Sequence, residues 1–175
     1  MFRKMRRFKQ QISQKECAQI LRRASSGVLG LYGDDGYPYT VPISFVYEEG
    51  TCGDFGTISF HCAREGHKVD AVRRNEKVSF TVIDRDDVMP KERTTKFCSV
   101  IAFGRARILE DEDEMRRAAN ALGAKYSGDF EDLYKKETEE TIRAGRLCCI
   151  EMKIDHMTGK IGRQVLLERQ RNGGS

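Results

Sequence analysis

The chain has 175 residues, of which 39% are hydrophobic and 33% charged, and its formal net charge is +4. The length suits one domain with a sizeable core, and the composition excludes a disordered chain, a collagen and a coiled coil. No apolar run approaches the ~20 residues that a membrane-spanning helix needs, and no secretory signal is recognisable. We therefore expect a cytoplasmic protein that does not bind membranes.

The positive charge is concentrated at the N-terminus. Residues 1–10 contain five basic residues and no acidic one, so the rest of the chain carries a net charge of −1. We expect a basic arm over residues 1–12, one domain over residues 13–168 and a flexible tail over residues 169–175. Because the domain itself is nearly neutral, we do not expect it to bind nucleic acid.

The basic arm has an alternative interpretation. Phe2, Met5 and Phe8 recur every three residues among the cations, which is compatible with a short helix that binds a membrane surface or nucleic acid. An isolated helix of about ten residues is marginal in water, however. An arm that is solvated, or that packs on a dimer partner, is therefore the favoured prediction.

The domain begins with a predicted helix and a β-hairpin. Residues 13–16 form a capping box and are followed by apolar residues at helical spacing. A strand over residues 28–32 leads into a turn at residues 33–36, whose Asp-Gly pair is typical of a hairpin. The returning strand alternates apolar and polar residues from 39 to 47. Pro42 lacks an N–H group, which predicts that this strand lies at an edge or is interrupted there.

The rest of the domain adds four strands and three helices. Strands are predicted near residues 57–62, 78–82, 95–109 and 148–154, and helices at residues 66–74, from residue 110 and at residues 130–143. Residues 84–93 are polar and predict a loop, and Gly104 predicts a bulge or bend. Six strands with flanking helices predict an α+β barrel.

The cysteines predict neither disulfides nor a metal centre. The chain is too long and too poor in cysteine for a disulfide-stabilised secreted domain, so we expect all six to be reduced thiols: Cys17, Cys52, Cys62, Cys98, Cys148 and Cys149. His61 and Cys62 are neighbours in a strand and point to opposite faces, so they cannot easily share a zinc ion. The chain also lacks a Walker loop and a Rossmann fingerprint.

Three basic residues crowd the start of the predicted helix at residues 66–74. Arg64, His67 and Lys68 oppose the helix dipole there, at a cost of ~0.3–1 kcal/mol each. A bound anion would offset this cost, because exposed amide groups and a lysine together form a phosphate site. The alternative is that the basic side chains extend into water, and the residues alone leave both interpretations open.

Several sequence blocks together resemble a known superfamily. The two most specific are residues 36–42, with the pattern G-Y-P-x-x-V-P, and residues 60–68, with the pattern F-H-x-A-x-x-G-H-K. Further matching blocks lie at residues 5–7, 75–80, 99–106 and 156–160. On these blocks the chain resembles the pyridoxamine 5′-phosphate oxidase-like superfamily of FMN-binding proteins, and within it most closely the 5-nitroimidazole antibiotic resistance group.

This resemblance implies a six-stranded FMN-binding split β-barrel with flanking helices, which forms a homodimer with FMN in the cleft between subunits. Lys68 matches the phosphate-binding lysine of the family, with His67 nearby, and Ser99 matches a position that reaches the flavin from the partner subunit. Two strands would line the isoalloxazine ring and ribityl chain: Tyr39, Thr40, Val41, Pro42, Ile43 and Ser44 of one, and Phe60, His61, Cys62 and Ala63 of the other.

The resemblance also implies a function. It indicates an oxidoreductase that passes electrons through bound FMN to a small acceptor such as a nitroaromatic compound, with NAD(P)H as a candidate donor. The alternative is a protein that binds or carries flavin or haem without turnover. His61 either orients a substrate and transfers a proton, or is a structural histidine that hydrogen-bonds across the sheet.

One departure from the superfamily limits the function. True pyridoxamine phosphate oxidases end in a substrate motif that contains Trp and Arg. This chain has no Trp, and residues 162–168 do not match that motif. We therefore do not expect a role in vitamin B6 synthesis.

Overall fold

Eight strands and five α-helices make up the part of the chain that this computed structural model describes, which is residues 1–51 and 53–172. The strands are β1 (Gln11–Ile12), β2 (Ser26–Tyr32), β3 (Pro38–Ser44), β4 (Val46–Glu48), β5 (Thr57–Cys62), β6 (Lys77–Met89), β7 (Thr94–Ile108) and β8 (Cys148–Ile161). The helices are α1 (Gln14–Arg23), α2 (His67–Arg74), α3 (Glu112–Ser127), α4 (Glu131–Arg143) and α5 (Arg163–Asn172).

The strands form one antiparallel sheet in the order β3-β2-β6-β7-β8-β5-β4, and β1 pairs with β8. The inward face of this sheet and α1 enclose the main hydrophobic core. Its centre contains three wholly buried phenylalanines, of which Phe45 and Phe80 pack edge to face with ring centroids 4.7 Å apart, while Phe60 comes from β5. The predicted α+β split barrel with flanking helices is confirmed, but the strand count of six is wrong.

One of the two extra strands arises because the predicted returning strand is interrupted at Phe45. Its N–H group donates to the hydroxyl of Tyr126 at 2.9 Å, and its carbonyl accepts from the ammonium of Lys125 at 2.8 Å. Since side chains of α3 satisfy both backbone groups, Phe45 does not pair with a strand. The chain changes partner here, so that β3 pairs with β2 and β4 pairs with β5. The other extra strand is β1, in the predicted arm.

The predicted hairpin and edge strand are confirmed. Strands β2 and β3 pair along their whole length, and the turn between them has positive φ angles of 54° at Asp35 and 79° at Gly36. Pro42 pairs with Val28 of β2 and lies in the outermost strand of the described sheet, so its missing N–H group interrupts no ladder. The predicted bulge at Gly104 is also confirmed by a register shift between β7 and β8.

The predicted loop at residues 84–93 is wrong for most of its length, because β6 continues to Met89 and pairs with β7. The side chains of this ribbon are exposed or half-buried on both faces, so the hydrophobic alternation that predicts a strand is missing. The register shifts between Ile83 and Arg85. The intervening Asp84 accepts hydrogen bonds from Arg23 of α1 at 2.8 and 2.6 Å, which ties the ribbon to the domain.

Both terminal segments pack on the domain. Phe2 of the arm stacks on the ring of His156 at 4.6 Å, and the arm contains a single 3-10 turn rather than the alternative amphipathic helix. Helix α5 continues to Asn172, and Arg169 within it pairs with Glu16 of α1 at 2.5 Å. The end of the predicted tail, residues 173–175, lies outside the described residues, as does the predicted thiol of Cys52. No helix in the described ranges is long and apolar enough to span a bilayer.

Candidate functional site

The start of α2 is an uncapped helix terminus. Gly66 occupies the N-cap position with a φ of 126°, a conformation that favours glycine, and it has no side chain to accept a hydrogen bond. The amides of Val69 and Asp70 both donate to the carbonyl of Gly66. Within the described part of the chain, the amides of His67 and Lys68 have no acceptor. This terminus therefore presents two N–H groups and the positive end of the helix dipole.

The side chains at this terminus are predominantly basic. The ring of His67 stacks on Tyr39 of β3, with centroids 3.9 Å apart, and its Nε2 lies 3.3 Å from a carboxylate oxygen of Asp34. Arg74 also pairs with Asp34 and holds the pKa of that carboxyl below its ordinary value. Lys68 is half-buried, and no carboxylate of the described residues lies within 4.0 Å of its ammonium. Arg64, the third basic residue predicted here, donates instead to the carbonyl of Gly145. Among the described basic residues of this terminus, Lys68 is thus the cation left to meet an anion.

Strand β3 divides the predicted flavin-lining residues between two faces. Thr40, Pro42 and Ser44 are exposed on the outward face, whereas the other three pack against the core and are partly buried: Tyr39, Val41 and Ile43. Tyr39 and Thr40 also line a largely apolar cavity of about 440 Å³ with residues of β2 and β6. The outward half of β3, together with Tyr39, is therefore accessible to a ligand.

Strand β5 divides its predicted residues in the same way. Phe60 has no exposed surface and belongs to the core, while the neighbouring His61 faces outward. Cys62 is half-buried, with its Sγ 3.9 Å from that of Cys148, and Ala63 is exposed. His61, Cys62 and Ala63 line a cavity of about 480 Å³ beneath α3 and α4.

The cavity beside His61 contains polar residues that the sequence analysis missed. Its far wall is a stripe of α4 that includes Tyr134, Glu137, Thr138 and Thr141. Desolvation and then the positive charge of Lys68 lower the pKa of His61, while Glu137 acts in the opposite direction. The sequence alone shows that these four residues share one face of a predicted helix, but only the fold shows that this face is directed towards β5.

Ser99 lies apart from both cavities. It is half-buried on the outward face of β7, where it pairs with Ile83 of β6 and Lys160 of β8. In one chain the predicted residues therefore form two groups, one around Tyr39 and one around His61. The segment 63–68, which contains the start of α2, connects the two groups, and Ser99 remains separate from them.

The described residues contain no candidate metal site. Nowhere among them do three or more His, Cys, Asp or Glu side chains lie close enough together to hold a metal ion. The thiols described are free: Cys17, Cys62, Cys98, Cys148 and Cys149.

Solved structures with the same fold include several proteins of less than 25% identity. A provisionally named 5-nitroimidazole antibiotic resistance protein from Bacteroides thetaiotaomicron is 22% identical, with a TM-score of 0.66 over 86% of each chain. The flavocytochrome Anf3 from Azotobacter vinelandii is 20% identical, with a TM-score of 0.70 over 91% of this chain and 72% of that one. An FAD-binding protein from Mycobacterium smegmatis is 21% identical, with a TM-score of 0.59 over 87% of this chain and 98% of that one.

The family follows from a comparison of the sequence itself. No curated protein sequence matches the chain. A family model described as pyridoxamine 5′-phosphate oxidase matches residues 13–161, which is most of the chain. The resemblance expected from the sequence blocks is thereby confirmed, and the chain belongs to the pyridoxamine 5′-phosphate oxidase family.

Proposed function

We propose that this protein binds FMN and passes electrons through it from a nicotinamide nucleotide to a small acceptor such as a nitroaromatic compound. The observation that carries this proposal is the uncapped start of α2, where two amide groups without acceptors and Lys68 adjoin His67, whose ring stacks on Tyr39. A phosphate has the charge and the acceptor oxygens that suit such a terminus. Family membership and the flavin-binding proteins among the structural relatives support the same assignment.

The residues around this terminus fit the parts of FMN. Lys68 and the amides of His67 and Lys68 would hold the phosphate, and the outward residues of β3 would lie along the ribityl chain and ring. This is one phosphate site, which suits FMN better than the diphosphate of FAD. When bound, the flavin supplies one-electron and two-electron transfer, while the protein orients it and limits its contact with water.

His61 would act on the substrate side of the flavin. Its lowered pKa favours the neutral ring, in which one ring nitrogen can accept a proton or a hydrogen bond. The cavity that it lines is large enough for a small acceptor, and Glu137 on the far wall counteracts part of the effect of Lys68. His61 is therefore the residue to which we assign substrate orientation and proton transfer.

The proposed functional unit is a homodimer. The outward face of the sheet exposes four apolar side chains, which we call the open face: Val28 at 37%, Ile83 at 66%, Ile101 at 39% and Phe103 at 39% exposure. A contiguous apolar surface of this kind is typical of an interface. Ser99 lies on the same outward face of β7 as Ile101 and Phe103, so a second copy docked there would bring its Ser99 towards the flavin.

The decisive experiment is an absorbance spectrum of freshly purified protein, followed by release of the cofactor and measurement of its mass. We expect the absorption bands of oxidised flavin and the mass of FMN. The mass of FAD would contradict the assignment of FMN but not of flavin binding. A colourless protein that does not bind added FMN would refute the proposal.

Stopped-flow reduction by NADH or NADPH then tests turnover. An oxidoreductase is reduced by one of these donors and is reoxidised when a nitroaromatic acceptor is added. A flavoprotein that neither donor reduces at a useful rate would instead be a carrier.

A further inference from the structure

A cation-rich cavity lies between the basic arm and the start of α5, and its lining residues are distant in sequence from α2. Its volume is about 400 Å³, and we call it the arm cavity. Three of its basic lining residues come from the arm, namely Arg6, Arg7 and Lys9, and a fourth, Arg163, is the first residue of α5. Among the residues that the structure describes, no acidic one lines it.

The four cations of the arm cavity differ from most arginines of the domain in having no acidic partner. Most other arginines of the described domain pair with an acid, as Arg107 does with Glu114 and Glu151 at 2.7 and 2.9 Å. For the arm-cavity cations, no carboxylate of residues 1–51 or 53–172 lies within 4.0 Å. Four like charges around one cavity repel one another, and an anionic ligand would offset that repulsion.

Gln10 provides an independent sign of a ligand. It lines the arm cavity, its side chain is only 7% exposed, and its Oε1 has no hydrogen-bond partner among the described residues. A buried amide left unpaired costs ~1–3 kcal/mol. Because the amide can rotate by 180°, it can donate to a phosphate oxygen or accept from a hydroxyl group.

The start of α5 also indicates an anion-binding site. Gly162 precedes the helix and accepts from the amide of Leu166, so the amides of Arg163 and Gln164 have no acceptor within the described ranges. A helix terminus adds partial positive charge to the four cations. Phe8 and Leu166 supply the apolar part of the wall.

We infer that the arm cavity is a binding site for a small phosphorylated molecule. Arg6, Arg7, Lys9 and Arg163 hold its phosphate groups, the amide of Gln10 hydrogen-bonds to it, and Phe8 and Leu166 contact its apolar part. A small molecule suits a cavity of about 400 Å³ better than a nucleic-acid backbone, which needs an extended basic surface. This site shares no residue with the proposed flavin site, so the two assignments stand or fall separately.

Isothermal titration calorimetry on the full chain tests the inference, with inorganic pyrophosphate and ADP as probes and with FMN in excess, so that the probes do not compete for the start of α2. We expect both to bind and ADP to bind more tightly, because its adenosine can contact the apolar wall. The double variant Arg6→Gln/Arg7→Gln should weaken binding at least tenfold. The matched control Arg3→Gln/Lys4→Gln removes the same charge from exposed arm residues that do not line the cavity, and should change the affinity less than twofold.

Two further variants test whether the probes bind in the arm cavity rather than at the start of α2. Arg163→Gln changes the opposite wall without touching the arm and should also weaken both probes. Lys68→Gln should leave their binding unchanged, because Lys68 belongs to the start of α2. Loss of probe binding in Lys68→Gln would assign the probes to the flavin site and overturn the inference.

Three other outcomes would also overturn it. One is the absence of binding at millimolar probe concentrations. Another is an equal loss in the Arg6/Arg7 and Arg3/Lys4 pairs, which would indicate diffuse attraction by the arm. The third is a single-stranded oligonucleotide that binds through Arg6 and Arg7 when neither pyrophosphate nor ADP binds, because this would make the site a nucleic-acid contact.

Discussion

The two ends of the outward sheet face differ in how completely this chain covers them. At the end formed by β5, β8 and the last residues of β7, helices α3 and α4 lie over the sheet. A small second core forms there, with Leu109, Ala118, Ala119 and Cys149. At the other end, the open face leaves Val28, Ile83, Ile101 and Phe103 exposed. We call the first the covered end.

The chain stabilises the covered end by itself, whereas we expect a ligand or a partner subunit to cover the open face. At the covered end even a buried charge is satisfied, since Glu151 accepts from Arg107 and Arg117 at 2.9 Å each. At the open face, Phe2 of the arm lies beside Phe103, with ring centroids 5.6 Å apart. His61, at the edge of the covered end, and Tyr39, beside the open face, therefore mark the two sides of the proposed site.

The largest expected effect is the loss of the dimer when the open face is made polar. Ile101→Asp and Phe103→Asp each place a carboxylate in the proposed interface, where desolvating the charge opposes association. We expect a homodimer for the natural chain and a monomer for both variants by analytical ultracentrifugation. Leu133→Asp is the matched control, because Leu133 is equally apolar and 62% exposed but lies on α4. A natural chain that is monomeric would disprove the assignment of the open face.

The next effect concerns the start of α2. Lys68→Ala removes the cation assigned to the phosphate, and a charge-assisted hydrogen bond contributes ~1.5–3 kcal/mol, which corresponds to a ~10–150-fold loss of affinity. Fluorescence titration of flavin-free protein with FMN measures this loss. Lys15→Ala, at an exposed lysine of α1, should bind FMN like the natural chain. Equal affinity in Lys68→Ala would move the phosphate away from α2.

A smaller effect on stability is expected at the covered end. Glu151→Gln preserves the shape of the side chain but removes the charge that pairs with Arg107 and Arg117. We expect the free energy of unfolding to fall by ~1–3 kcal/mol, measured by urea denaturation. Glu114 binds the same Arg107 with a side chain that is 36% exposed, against 9% for Glu151, and Glu114→Gln should change stability much less. A similar loss in both variants would show that burial does not matter there.

The sequence predicts local features of this fold well and long-range ones poorly. Strand β5 and the start of α1 are predicted to within a residue, because alternation and a capping box are local signals. The interruption at Phe45 is not predictable in this way, since Lys125 and Tyr126 on α3 cause it from about 80 residues further along the chain. The α4 wall of the cavity beside His61 was missed for the same reason.

Lys125 links the covered end to this interruption of the sheet, and it makes the smallest and most specific prediction. Its ammonium donates to the carbonyls of Ala24 and Phe45 at 2.6 and 2.8 Å, and lies 4.1 Å from the centre of the Phe45 ring. Burial lowers its pKa from 10.5 to about 8. Below pH 8 the folded and unfolded chains both hold this proton, so Lys125 adds no pH dependence there.

Between pH 8 and 10.5 the unfolded chain binds the Lys125 proton and the folded chain has released it, so this residue makes the free energy of unfolding rise with pH. Buried thiols act in the opposite direction above pH 9, because burial raises the pKa of Cys17 and Cys149 to about 12. The difference between the natural chain and Lys125→Met cancels the thiols, and it should increase from pH 8 to 10.5 in urea denaturation. Lys15→Met, which changes an exposed lysine, should give a flat difference, and a flat difference for Lys125→Met would mean that its ammonium remains solvated.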